Sequence, residues 1–180
     1  MIVCTAEQFQ GEKERIRCLN VVIGVADMKV SNKPEETLIT YSLGSCVGVV
    51  VYDPVVRVGG ILHFMLPESS LDEGKARSRP FMFADTGIPG LFLEAYKYGA
   101  VKQRMKIIVA GGARILDTKG FFNIGKKNYI ALRKIFWRNN VIIDYEDIGG
   151  CINRTMKMDI NSGDVSILSG RDSIKTISYR

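Results

Sequence analysis

Residues 46–66 run Cys46-Val47-Gly48-Val49-Val50-Val51-Tyr52-Asp53-Pro54-Val55-Val56-Arg57-Val58-Gly59-Gly60-Ile61-Leu62-His63-Phe64-Met65-Leu66. Two β-branched, apolar segments, Cys46 to Tyr52 and Arg57 to Leu66, flank Asp53-Pro54-Val55-Val56, a turn-forming group in which proline fixes φ and removes a ladder donor. The pattern predicts a β-hairpin. If the turn is centred between Pro54 and Val55, Cys46 falls directly opposite His63, with Cβ atoms about 4.5–5.5 Å apart on one face. A single bulge would undo that register.

On the N-terminal side, Val21 to Val25 reads as a strand, 31–36 as a loop, and Leu38-Ile39 as the start of another extended segment. On the C-terminal side, Pro67 ends the hairpin, and Glu68 to Pro80, rich in Ser, Gly and charge, is expected to be a long loop and a candidate lid. Asp85 is expected to cap a helix reaching Tyr98, with Pro89 early and Gly99 as its stop. Ile107 to Ala110 reads as a buried strand, and Gly125 to Arg138 as a second amphipathic helix with Tyr129, Leu132, Ile135 and Phe136 inward. Val141 to Tyr145 reads as a strand. Met156, Met158 and Ile160, then Asn161-Ser162-Gly163, then Val165 and Ile167 form a second hairpin pattern. Hairpins dominate, which favours an α+β fold with antiparallel or mixed sheets flanked by helices over a doubly wound parallel sheet. Residues 1–19 read as a loosely attached extension, and residues 20–180 as one domain.

Composition narrows the function classes. The chain has 180 residues, 46% hydrophobic and 24% charged, an ordinary globular balance. Its most apolar run, Val47 to Val58, is interrupted by Asp53, Pro54 and Arg57 and is short of the roughly 20 apolar residues a spanning helix needs, so no membrane insertion is expected. Glu7, Glu12, Lys13, Glu14, Arg15 and Arg17 are unlike a secretory signal, and a cytoplasmic location follows as the expectation. There, Cys4, Cys18, Cys46 and Cys151 are expected to be free thiols. With no C-x-x-C and a single histidine, neither a metal nor another cofactor is expected. The formal net charge of +6 is spread along the chain without interleaved aromatics, which argues against nucleic acid as partner.

The chemistry rests on Cys46 and His63. A thiol is a weak nucleophile at neutral pH unless a neighbouring imidazolium favours the thiolate, which then attacks carbonyl carbon. Gly44 and Ser45, just before the cysteine, offer a backbone bend and amide N–H groups that can support an oxyanion. The competing structural reading is a buried core thiol and a satisfied strand histidine. Gly111-Gly112 lacks the rest of a phosphate loop and reads as tight packing. Residues 123–127 read as a helix cap and Trp137 as a packed residue.

The runs Thr40-Tyr41-Ser42-Leu43-Gly44-Ser45-Cys46-Val47-Gly48-Val49, Tyr52-Asp53-Pro54 and Gly59-Gly60-Ile61-Leu62-His63-Phe64-Met65-Leu66-Pro67 resemble the CheD family of chemoreceptor glutamine deamidases. So do Ala84-Asp85-Thr86, Ala110-Gly111-Gly112-Ala113, Phe122 to Asn128, and Asp147-Ile148-Gly149-Gly150 with Asn153-Arg154, in the same order. The resemblance implies a Cys-His-Thr triad on Cys46, His63 and Thr40, Thr40 orienting the base after a bend through Ser42 and Gly44. Ser42 stands where the family often has glycine. It also implies a β-sandwich-like core similar to deamidating toxins of the cytotoxic necrotizing factor type. The implied substrates are glutamines of the cytoplasmic domains of methyl-accepting chemotaxis receptors, with a CheC-type phosphatase as a modulating partner. Two alternatives stay open: another cysteine acyl transferase, such as a transglutaminase or esterase, and a non-catalytic chemotaxis adaptor.

Overall fold

Alternating apolar residues sort the strands into two five-stranded mixed sheets packed face to face. The computed structural model describes residues 19–115, 123–170 and 173–179. In the first sheet the order is β1 (Leu19–Ile23), β3 (Glu36–Leu43), β8 (Arg154–Asp159), β9 (Val165–Ser169) and β10 (Ser173–Ile177). In the second it is β2 (Asp27–Ser31), β5 (Val58–Phe64), β4 (Val47–Asp53), β6 (Lys106–Gly111) and β7 (Tyr145–Ile148). Each sheet is antiparallel except for one parallel pair, β1 with β3 and β6 with β7. The α+β class with mixed sheets is therefore the observed one.

The second sheet is the middle layer of three. Val50, Ile61 and Ile108 face the first sheet and meet Leu38, Met156 and Met158. Val49, Leu62 and Val109 face the other way, onto Leu91 of α2 (Ala84–Lys97) and Leu132 of α3 (Ile124–Arg138). Covered on both faces, β4 and β5 are buried along their whole length, which explains why 47–52 is a continuous apolar run rather than an alternating one.

Several local expectations need correction. The segment from Val21 is two strands rather than one: at 24–26, with Ala26 at φ +59°, the chain leaves β1 in one sheet and enters β2 in the other. The 68–80 segment carries a helical turn at 69–71 and α1 (Glu73–Ser78), whose Asp72 cap accepts from Lys75 N. Asp85 does not cap α2, where Phe83 holds the cap position; its carboxylate accepts from Ser69 N and Oγ and ties that segment down. Gly99, at φ +85°, does end the helix, its N–H bonded to the Tyr96 carbonyl.

Pairing with β6 begins only at Asp144, whose N–H and carboxylate bind Ile107, so the expected strand from Val141 becomes β7, with Ile142 left exposed. On α3, Leu132 and Phe136 are buried and Ile135 packs beside them, but Tyr129 sits at the rim on Glu146. Trp137 is 80% exposed, not packed. The expected extension lies, except for Leu19, outside the described residues, as do Cys4 and Cys18. Cys46 and Cys151 are free thiols. No described helix is long and apolar enough to cross a membrane.

Candidate active site

The β4–β5 turn holds four residues, with Asp53 paired to Val58 and Gly48 to His63. Cys46 is thus not directly opposite His63. The turn explains the shift: Asp53 Oδ1 accepts from Val55 N, and Arg57 adopts φ +50°, which moves the centre to between Val55 and Val56. Cys46 stands two residues before Gly48, just past the last ladder pair, Val47 with Phe64. That makes it a diagonal neighbour of His63, a relation that separates Cα atoms by about 7–8 Å and stays within reach of longer side chains. The sulfur-bearing side chain packs against the inter-sheet cluster, the side to which His63 is directed.

Thr40 and His63 meet across the two sheets. Thr40 Oγ1 lies 2.8 Å from His63 Nδ1 and 2.9 Å from the carbonyl oxygen of Ile23. A hydroxyl has one proton, and the Ile23 carbonyl can only accept it. Oγ1 must therefore accept from Nδ1–H, which selects the tautomer with a bare Nε2. His63 is 1% exposed and Thr40 fully buried, yet among the described residues Nε2 has no hydrogen-bond partner, the Cys46 sulfur included. Burial pushes the imidazole down to about 4 and the Cys46 thiol up, the latter opposed by Cys46's own backbone N–H. Burial thus works against the charged form of each group, the thiolate and the imidazolium alike.

Ordinary alternation from Leu38 puts Thr40 on the inter-sheet face, and a bulge follows it. Between the pairs Thr40–Met156 and Leu43–Arg154, β3 uses one residue more than β8. Ser42 takes φ +58° at that point, and Tyr41 and Ser42 are exposed while Thr40 and Leu43 both turn inward. The bend thus resides in Ser42; Gly44 does not share its left-handed φ.

Beyond the bulge the chain crosses into the second sheet through Gly44-Ser45-Cys46, and three partners hold it. Ala113 N–H donates to the Gly44 carbonyl, Gly112 N–H to the Cys46 carbonyl, and Asn128 Nδ2 to the Ser45 carbonyl at 3.0 Å. Gly111 lies so close that a Cβ there would sit 2.3 Å from the Cys46 oxygen, so 111–112 is the tight packing expected. Asn128 escapes the sequence reading, although a fully buried amide among Gly125, Ala131, Leu132 and Phe136 on the inner face of α3 is a visible signal. Asn123 occupies the cap position of α3, its carbonyl accepting from Lys127 N. No cluster of metal-ligating side chains occurs among the described residues. The arrangement as a whole can deliver a nucleophile, a base with a free lone pair and an oriented amide to one carbonyl.

Comparison with known proteins adds a lineage. A family model described as CheD chemotactic sensory transduction matches residues 65–169, more than half of the chain. A relative from Syntrophus aciditrophicus, named probable chemoreceptor glutamine deamidase CheD 1, is 50% identical over 158 residues, covering 88% of this chain and 99% of that one. That aligned span is long enough that it must include Thr40, Cys46 and His63, which precede the family-model match. A probable chemoreceptor glutamine deamidase CheD from Solibacter usitatus is 46% identical, covering 79% of this chain and 85% of its own. Among solved structures, Bacillus licheniformis hypothetical protein YfiH aligns with TM-score 0.44 and 14% identity over 69% of this chain and 51% of that one.

Proposed function

The chain belongs to the CheD family, and we propose that it deamidates glutamine side chains of chemoreceptor cytoplasmic domains, with Cys46, His63 and Thr40 as its working residues. The observation that carries this reading is the bare, buried Nε2 of His63, its tautomer selected by Thr40, on the face where Cys46 emerges. A buried imidazole with one nitrogen satisfied and the other unpartnered is poorly explained as core.

The chemistry follows from these groups. Burial disfavours charge on both, so Nε2 takes the thiol proton as sulfur attacks the carboxamide carbon. Nδ1–H stays on Thr40, which steadies the imidazolium so formed. Backbone amides around Gly44, Ser45 and Cys46 receive the oxyanion. The imidazolium then protonates the departing ammonia, and the regenerated base activates water to hydrolyse the thioester, leaving glutamate and free Cys46.

Two finer readings accompany it. The inter-sheet placement of Thr40 and His63 and the cysteine at a sheet crossing suit kinship with the cytotoxic necrotizing factor type of deamidating toxin. Family membership further supports a cytoplasmic site of action and a CheC-type phosphatase as modulator.

The test is incubation of the purified protein with a receptor cytoplasmic fragment, with peptide mass spectrometry and ammonia release. Glutamine-to-glutamate conversion with one ammonia per site is expected, and none with Cys46→Ala. Activity of folded Cys46→Ala, or incorporation of added amine in place of water, would assign the chain to another chemistry.

A further inference from the structure

We propose that Asn128 is the positioning residue of the oxyanion site: by holding the Ser45 carbonyl it turns the Cys46 amide N–H toward the oxygen of the carbonyl under attack. This rests on the reading of Cys46 as nucleophile.

A trans peptide sets its C=O and the following N–H antiparallel. With the Ser45 carbonyl drawn 3.0 Å from Asn128 Nδ2, the Cys46 N–H on the same peptide plane must point away from α3. That is the side on which Cys46 and its sulfur pack, against the inter-sheet cluster. The oxyanion formed by attack is one atom removed from this sulfur, so an N–H so aimed lies where negative charge develops.

The second Nδ2 hydrogen goes to the Met65 carbonyl at 2.9 Å, two residues past His63. The β4–β5 ladder ends one pair earlier, at Val47–Phe64, so the Asn128 amide takes over where main-chain pairing stops. It ties the strand of the nucleophile to the strand of the base. Both flanking groups are carbonyls, so the nitrogen of Asn128 must face them, and only a side chain with two donors serves both. Its Oδ1 is buried without a partner among the described residues, a cost that a merely space-filling residue at this position would avoid.

The experiment separates aiming of the amide from activation of the thiol. Turnover on a receptor fragment needs an oxyanion donor, whereas alkylation of Cys46 by iodoacetamide, a displacement at saturated carbon, needs only the thiol and its base. In Asn128→Ala, kcat is expected to fall about 100-fold while KM and the alkylation rate of the Cys46 peptide stay within about twofold of wild type. Should that variant fail to fold by circular dichroism, Asn128→Leu, close in size and without a donor, is read the same way. An unchanged kcat in a folded variant overturns the proposal. Equal losses in turnover and alkylation overturn it too, because Asn128 would then act on the thiol or the base. The underlying reading fails separately, if Cys46→Ala still deamidates.

Discussion

The two ends of the β4–β5 hairpin each bury a titratable side chain and treat it in opposite ways. At the turn, Asp53 accepts from the amides of Val55 and Val101 and from Arg104 Nε and Nη2. Burial by itself would raise this carboxyl, but the Arg104 contact and the two amides hold it below the usual carboxylate range. At the open end, His63 is just as buried, has Thr40 on one nitrogen and, among the described residues, no partner on the other, and burial prevails. Asp53 at the turn is saturated with partners. A buried group that must exchange a proton keeps a lone pair free, and its cost is borne by the surrounding structure.

If that contrast is real, substitutions at the two ends should fail in different currencies. The largest effect is expected from His63→Gln, which should lower deamidation by about 10⁴-fold or more while the protein remains folded. Asp53→Ala should do the reverse, leaving kcat near wild type and costing about 3 kcal/mol in urea unfolding, because Arg104 and two amides lose their shared acceptor. Activity loss in folded Asp53→Ala matching that of His63→Gln would erase the distinction.

Thr40→Val, nearly isosteric, should lower kcat by about 10- to 100-fold with little change in KM, since a loose imidazole weakens proton transfer rather than binding. Thr40→Ser, which keeps the hydroxyl, should recover most of the rate. Equal kinetics for the two variants would remove the Thr40 hydroxyl from the mechanism.

The pH dependence separates the ends again. The folded state holds His63 down to about 4, whereas the unfolded chain takes up this proton near 6.5, so the unfolded state binds more protons between these values. The contribution of neutral His63 is therefore complete above pH 6.5 and lost as pH falls toward 4, about 3 kcal/mol in all. Asp53, held below its ordinary value, contributes above about pH 3.9 and is lost only in stronger acid. Urea titrations should show the loss between pH 6.5 and 4 in wild type and in Asp53→Ala, and a flatter profile in His63→Gln. NMR of the single imidazole should place its midpoint well below 6.5.

The smallest effect concerns the bulge that follows Thr40. Ser42 sits at φ +58°, a conformation that costs a side-chain-bearing residue about 1 kcal/mol and glycine very little. Ser42→Gly should raise stability by up to about 1 kcal/mol, or Tm by about 2 °C, with activity retained. A loss of stability would mean that the Ser42 side chain contributes something beyond its backbone shape.

Much of the architecture was legible from residues whose burial is settled locally. The two apolar runs around Asp53-Pro54, the Met156-Met158-Ile160 alternation and Gly99 as a stop all occupy the places their patterns require, because a continuous apolar run marks a strand covered on both faces and a period of 2 marks the covered face of a half-buried one. Cys46 and His63 stood out by residue type, and Thr40 by resemblance alone. What the pattern could not settle was phase. Arg57 in a left-handed conformation moved the hairpin register, and the Ser42 bulge reversed the faces of β3, each through a backbone angle of one residue that no periodicity carries. Asn128 and Gly111 reach the Cys46 segment from 83 and 65 residues away, respectively. Their contacts exist only once two sheets and a helix layer have packed, and packing depends on the summed shape of all three layers rather than on any one stretch of chain.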